Sequence, residues 1–119
     1  MAEDVVLTST NFYRVARGRP VVLSIATGDG QVSGTALLLN GQPHPFKNPD
    51  GPQLIGSGDL VGGFLHANTT VRDINPATNR TSVTYTLRGG VADTEYPYSI
   101  EVSADKGAAH YLIAFIFTE

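Results

Sequence analysis

The 119-residue chain has no cysteine and no tryptophan, and only 16% of its residues carry charge. Without cysteine neither a disulfide framework nor thiolate chemistry is open to it, and a zinc site would have to use histidine and carboxylate alone. The same absence leaves the compartment open, because a domain of this length folds without covalent staples in any setting. Such a chain buries roughly two-thirds of its unfolded surface, enough for one core. With no internal repeat, linker or low-complexity tract, a single domain over residues 1–119 is expected. Basic residues are also scarce. Lys and Arg number 8 against 11 acids, a net charge of -3. Neutralising phosphates takes clustered Lys and Arg, so a nucleic-acid partner is not expected. The one basic cluster, Arg14, Arg17 and Arg19, suits a solvated sheet edge, where arginine discourages strand-to-strand aggregation. No run approaches the ~18 apolar residues of a membrane-spanning helix. The start, Met1-Ala2-Glu3-Asp4, has neither the basic nor the apolar region of a signal peptide. The expected setting still leans towards secretion or the cell surface.

Period-two alternation is what the chain does have. Val83, Tyr85 and Leu87 alternate with Ser82, Thr84, Thr86 and Arg88, which puts apolar groups on one face of a strand and hydroxyls on the other. The segment Thr69 to Ile74 is similarly β-branched, and Asn75-Pro76-Ala77-Thr78-Asn79 between the two carries turn residues. A hairpin is expected there. Tyr98, Ile100 and Val102 alternate with Ser99, Glu101 and Ser103, and Ala104-Asp105-Lys106-Gly107 turns into the last strand. That strand, Tyr111 to Thr118, is apolar on both faces: Tyr111, Ile113, Phe115 and Phe117 on one, Leu112, Ala114 and Ile116 on the other. It fits a central strand of a two-layer sandwich. It also fits a strand with one face against another subunit, for which Tyr111, Ile113, Phe115 and Phe117 are the interface candidates.

Upstream, Val5 to Ser9 and Phe12 to Ala16 read as two short strands, and Arg19 to Thr27 as a longer one ended by Gly28-Asp29-Gly30. Thr35 to Leu39 precedes Asn40-Gly41, the dipeptide of a type I′ hairpin turn. No stretch has helical periodicity. The expected fold is therefore all-β: an antiparallel β-sandwich of immunoglobulin-like type, with a small closed β-barrel as the alternative.

From Gly41 to Gly63 the rhythm breaks. Pro43, Pro45, Pro49 and Pro52 cannot donate to a sheet ladder, so the interval is an edge or a long loop. Pro43-His44-Pro45-Phe46 holds an imidazole and a ring on stiff backbone, and His44 and Phe46 become ligand-binding candidates. Asp73, Asn75 and Asn79 form a second patch. They offer the oxygen donors a hard cation takes, although the same side chains cap their own turn, and the glycine and terminal glutamate of an EF-hand are missing.

Catalytic constellations are thin. Ile55-Gly56-Ser57-Gly58-Asp59 lacks the spacing and the strand-turn-helix setting of a nucleophile elbow. His44, His66 and His110 stand in no metal-ligand spacing, and Asp93 and Glu95 sit in an expected turn rather than a cleft. The glycine-rich stretches match no phosphate-binding loop. Neither an enzyme, a cofactor nor a resident metal is expected. Convergence of His44, His66 and Asp59 around one pocket would reopen the enzymatic reading.

Gly90-Val91-Ala92-Asp93-Thr94, followed by two terminal strands, resembles the last strands of the fungal immunomodulatory proteins. The resemblance implies a small cysteine-free sandwich that dimerises and binds sugars. It spans residues 90–118 only, the N-terminal half does not follow it, and no binding residue is carried over.

The expected function is a non-enzymatic interaction module that recognises a protein or glycan through loops at one end of the sandwich. Two alternatives stand beside it. One is a self-associating structural subunit, a homo-oligomer built on the C-terminal strand. The other is a small enzyme with its site dispersed over loops.

Overall fold

The computed structural model describes residues 5–16, 19–44, 53–56, 60–72, 78, 80–102 and 108–119. Nine strands run through them: β1 (Val5–Arg14), β2 (Val21–Thr27), β3 (Val32–Leu39), β4 (Gln42–His44), β5 (Gln53–Gly56), β6 (Phe64–Arg72), β7 (Arg80–Arg88), β8 (Thr94–Glu101) and β9 (Ala108–Thr118). No helix occurs among the described residues, and so none long and apolar enough to cross a membrane. The two short N-terminal strands expected from sequence are one. Ser9 and Asn11 continue the inward alternation of Val5, Leu7 and Tyr13, and β1 pairs with β9 from Val5↔Ala109 to Arg14↔Thr118.

The strands form two sheets, β1-β9-β6-β3-β4 and β5-β2-β7-β8, packed over one shared core. The fold is thus an all-β two-sheet arrangement and not a single sheet closed on itself. Two expectations about pairing are corrected. First, the sandwich is not wholly antiparallel, since β1 and β9 run parallel. They are the first and last strands, so the whole domain acts as the long crossover that a parallel pair needs. Second, the hairpin expected of 69–74 with 81–88 is not formed by the described residues, of which 73 and 74 are not part. β6 pairs with β3 and β9, whereas β7 pairs with β2 and β8 in the other sheet. The chain likewise changes sheets between β8 and β9. Among the described strands only β3–β4 and β7–β8 are sequential neighbours in one sheet, and the other six connections cross.

Local chemistry explains what the topology keeps. Asn40 and Gly41 have φ of 51° and 81°, the left-handed pair of a type I′ turn, and Leu39 pairs with Gln42 across it. Asn40 also closes the end of the β3–β6 ladder: its N–H donates to Phe64 O at 2.8 Å, and its Oδ1 accepts the Phe64 N–H at 2.9 Å. Within the described strands proline sits only where a missing donor is tolerated: Pro43 lies in the edge strand β4 and Pro97 in the edge strand β8.

Leu23, Val83, Tyr85 and Leu87 of one sheet meet Leu65, Val71, Tyr111, Ile113, Phe115 and Phe117 of the other, all fully buried. Phe115 takes edge-on contacts from Tyr85 and Tyr96, at centroid distances of 5.9 and 5.1 Å. Two buried threonines are satisfied from across the core. Thr69 accepts from Tyr85 Oη at 2.6 Å, and Thr81 lies 2.6 Å from Tyr111 Oη while donating to Ile100 O at 2.8 Å. No buried side-chain polar atom among the described residues lacks a partner.

Candidate functional site

The residues singled out by sequence do not gather. His44 lies half-buried on β4 in register with Leu37, which pairs with Ala67, so it belongs to the core side of its sheet. His66 is in register with Leu38 and Ala114 and lies on the opposite, outward side. The two imidazoles therefore do not converge. Phe46, Asp73, Asn75 and Asn79, like Ser57 and Asp59, lie outside the described residues. His110 shares a contact of 3.1 Å between its Nδ1 and Thr70 Oγ1. Asp93 accepts the Gly89 N–H at 3.4 Å, a turn contact. No three potential metal ligands cluster among the described residues.

Tyr111, Ile113, Phe115 and Phe117, the interface candidates, have no exposed surface at all. The same period-two alternation that grouped them turns them inward against β7 and leaves Leu112, Ala114 and Ile116 facing out. Any partner of this strand meets the second set.

Register shows what surrounds that second set. Cross-strand partners share a face. Phe12 pairs with Ile116 and Ile116 with Phe64, so these three make one row across β1, β9 and β6. The next row is Thr10, Ala114, His66, Leu38 and Pro43. Below it lie Thr8, Leu112, Asn68 and Ala36, then Val6, His110, Thr70 and Gly34. Among the described residues, four of the five exposed large hydrophobic ones fall on this face: Phe12 (68% exposed), Val6 (57%), Leu112 (42%) and Phe64 (37%). Between them a shallow depression of about 530 Å³ is lined by Thr8, Thr10, His66, Asn68, Leu112 and Ala114. The Phe64 ring lies 5.3 Å from that of His66.

Among the described residues the face has no carboxylate and no lysine, and its two arginines, Arg14 and Arg72, stand at opposite ends. The outer face of the other sheet is a solvated surface by contrast. There Thr86 pairs with Glu95, Ser82 with Ser99 and Arg80 with Glu101. The burial period is the same in both sheets, so the difference lies in which residues occupy the outward positions.

The fifth exposed hydrophobic residue, Val91, adjoins the apolar face. It lines a second depression of about 410 Å³ together with Phe12, Ala92, Thr94 and Tyr96, where β1 meets the β7–β8 turn. This seam is tied by Gly90 N–H to Tyr13 Oη at 2.9 Å and Val91 N–H to Arg14 O at 3.0 Å. Further along it Asn11 Nδ2 donates to Tyr98 Oη at 2.6 Å, and Tyr98 Oη donates to Ser9 Oγ at 3.0 Å. Burial raises the pKa of Tyr13 and of Tyr96, so both phenols are neutral at ordinary pH. A side chain at Gly90 would run into Arg14 O and the Tyr13 ring, which fixes glycine there.

Chemically, the face offers apolar contact and a few neutral hydrogen-bonding groups: the Asn68 amide, the His66 imidazole and the Thr8 and Thr10 hydroxyls. On the same face the Thr70 hydroxyl stands 3.1 Å from Nδ1 of the His110 imidazole. Comparison with protein-family models, with curated proteins and with solved structures finds no match for this chain. Phe12, Phe64 and Leu112 were not candidates from sequence. Their signal is the outward half of each alternation, and it acquires meaning only once β1, β9 and β6 are known to be neighbours.

Proposed function

We propose that the protein is a non-enzymatic interaction module whose recognition surface is the outer face of the five-stranded sheet. One observation carries the reading: among the described residues, four of the five exposed large hydrophobic ones share that face, and charge is confined to its ends. Monomeric soluble proteins rarely leave a contiguous apolar patch of this kind without a partner, and interface centres are depleted of charge. A protein partner is favoured over a glycan. Sugar hydroxyls call for dense polar pairing and flat aromatic platforms, whereas this face has no carboxylate among the described residues and the chain has no tryptophan. The arginines at the ends are too few and too far apart to track a nucleic-acid backbone. An immunoglobulin-like type has only the strand number behind it, nine among the described residues in sheets of five and four, because the last two strands of such a domain share a sheet whereas β8 and β9 do not.

The test is photo-crosslinking in the producing cell, with a diazirine amino acid at Leu112 or, as the control, at Ser99 on the opposite sheet. Position 112 is expected to capture a partner and position 99 to capture none. Silence at 112, or equal capture at both, would overturn the reading.

A further inference from the structure

We propose that the partner of the apolar sheet face is a second copy of this chain, docked face to face about a two-fold axis. The proposal rests on the reading of that face as the recognition surface. Size is the first argument. Five strands at ~4.8 Å spacing and about eight residues at ~3.4 Å rise give a face of roughly 650 Å². Specific dimers bury at least about 600 Å² on each partner, so one face suffices.

Shape is the second argument. A two-fold interface must be self-complementary. Take the axis in the plane between two copies, crossing the strands midway between the His66 and Asn68 rows. It then lays each strand antiparallel over its own copy. Leu112 falls over Ala114 of the second copy, and His66 falls over Asn68. The Phe12–Ile116–Phe64 ridge falls over the row Val6, His110 and Thr70. Large groups meet smaller ones, and an imidazole meets an amide that can pair with it. Sheets stacked in this way run nearly aligned, the ordinary packing of twisted sheets.

Charge and edges are the third. The operation exchanges the ends of the sheet, but Arg14 lies on β1 and Arg72 on β6 with β9 between them, so neither arginine falls directly over the other. Pro43 in β4 and Pro97 in β8 discourage association through two of the four sheet edges.

The experiment is sedimentation equilibrium of the full chain from low to high micromolar concentration. A mass twice the 12.6 kDa chain is expected. Leu112→Arg is expected to halve that mass with an unchanged circular dichroism spectrum, because the side chain points outward. Phe12→Ser is expected to weaken the dimer about tenfold or more. Ser99→Arg, on the other sheet, is expected to leave it intact. Leu112→Cys in this cysteine-free chain is expected to link copy to copy through a short bismaleimide, and Ser99→Cys is not. A wild-type monomer throughout, or a dimer indifferent to Leu112→Arg, overturns the proposal. If that monomer still captures a different protein at position 112 in cells, self-pairing alone is lost. If it captures nothing, the interaction-face reading falls with it.

Discussion

Tyr85 on β7 donates a 2.6 Å hydrogen bond to Thr69 on β6, across the full thickness of the core. Both residues are buried, and Thr69 is also 2.9 Å from Thr35 Oγ1. A polar cross-tie between the sheets is thereby formed by groups that a transfer scale would place outside.

The two ends of this tie should respond differently to mutation. Tyr85→Phe removes a donor while Thr69 keeps Thr35 as a partner, so a loss of about 1 kcal/mol is expected. Thr69→Val leaves the Tyr85 hydroxyl buried without an acceptor and is expected to cost more, towards 3 kcal/mol. The double variant should lose less than the sum. Urea unfolding of all four proteins checks the order, and a more damaging Tyr85→Phe would contradict it.

Alkaline pH should unfold the domain. Burial raises the pKa of Tyr13, Tyr85, Tyr96 and Tyr111 in the folded state, against about 10 in the unfolded chain. A folded-state pKa raised above its unfolded value means that the folded protein holds the proton more tightly. Stability is therefore full below about pH 10 and declines as pH rises above it. Urea midpoints are expected to be level from about pH 7 to 9 and to fall above about pH 10, less steeply in Tyr85→Phe. A midpoint still level at about pH 11 would contradict the prediction.

Two glycines with open space around them should behave in opposite ways. An added Cβ meets nothing within 4 Å at Gly34 or at Gly41, but Gly41 has a φ of 81°. Gly41→Ala should cost about 1–2 kcal/mol for left-handed backbone. Gly34→Ala should be neutral or gain up to about 1 kcal/mol by restricting the unfolded chain. Thermal melts in the Leu112→Arg background separate these effects from association, and equal melts for the two would defeat the argument.

The two faces of the terminal strands give a direct contrast. Phe117 is wholly buried and Phe12 largely exposed. Phe117→Asp is expected not to fold, whereas Phe12→Asp should keep the wild-type circular dichroism spectrum. Phe115→Ala, which removes a ring packed by Tyr85 and Tyr96, should cost about 3–5 kcal/mol. A well-folded Phe117→Asp would move the C-terminal strand out of the core.

What the sequence determined by itself was local. The two-residue alternation in 81–88 and 96–103 set which side chains share a face. Asn40-Gly41 set a turn because left-handed backbone is tolerated there. The prolines around residue 43 marked an edge, since a missing N–H is harmless only where no strand follows. These features depend on neighbours within a few residues. Which strand lies beside which was decided by the tertiary structure. Backbone ladders carry no residue identity, so nothing in Thr69 to Ile74 distinguished β7 from β9 as its neighbour. The choice was made by the shared core, where Thr69 takes the Tyr85 hydroxyl from the opposite sheet. The parallel pairing of β1 with β9 had the same origin, and so did the inward turn of Phe115 and Phe117. The candidate face was invisible for that reason: Phe12, Ile116 and Phe64 are far apart in the chain and form one row only after both sheets have assembled.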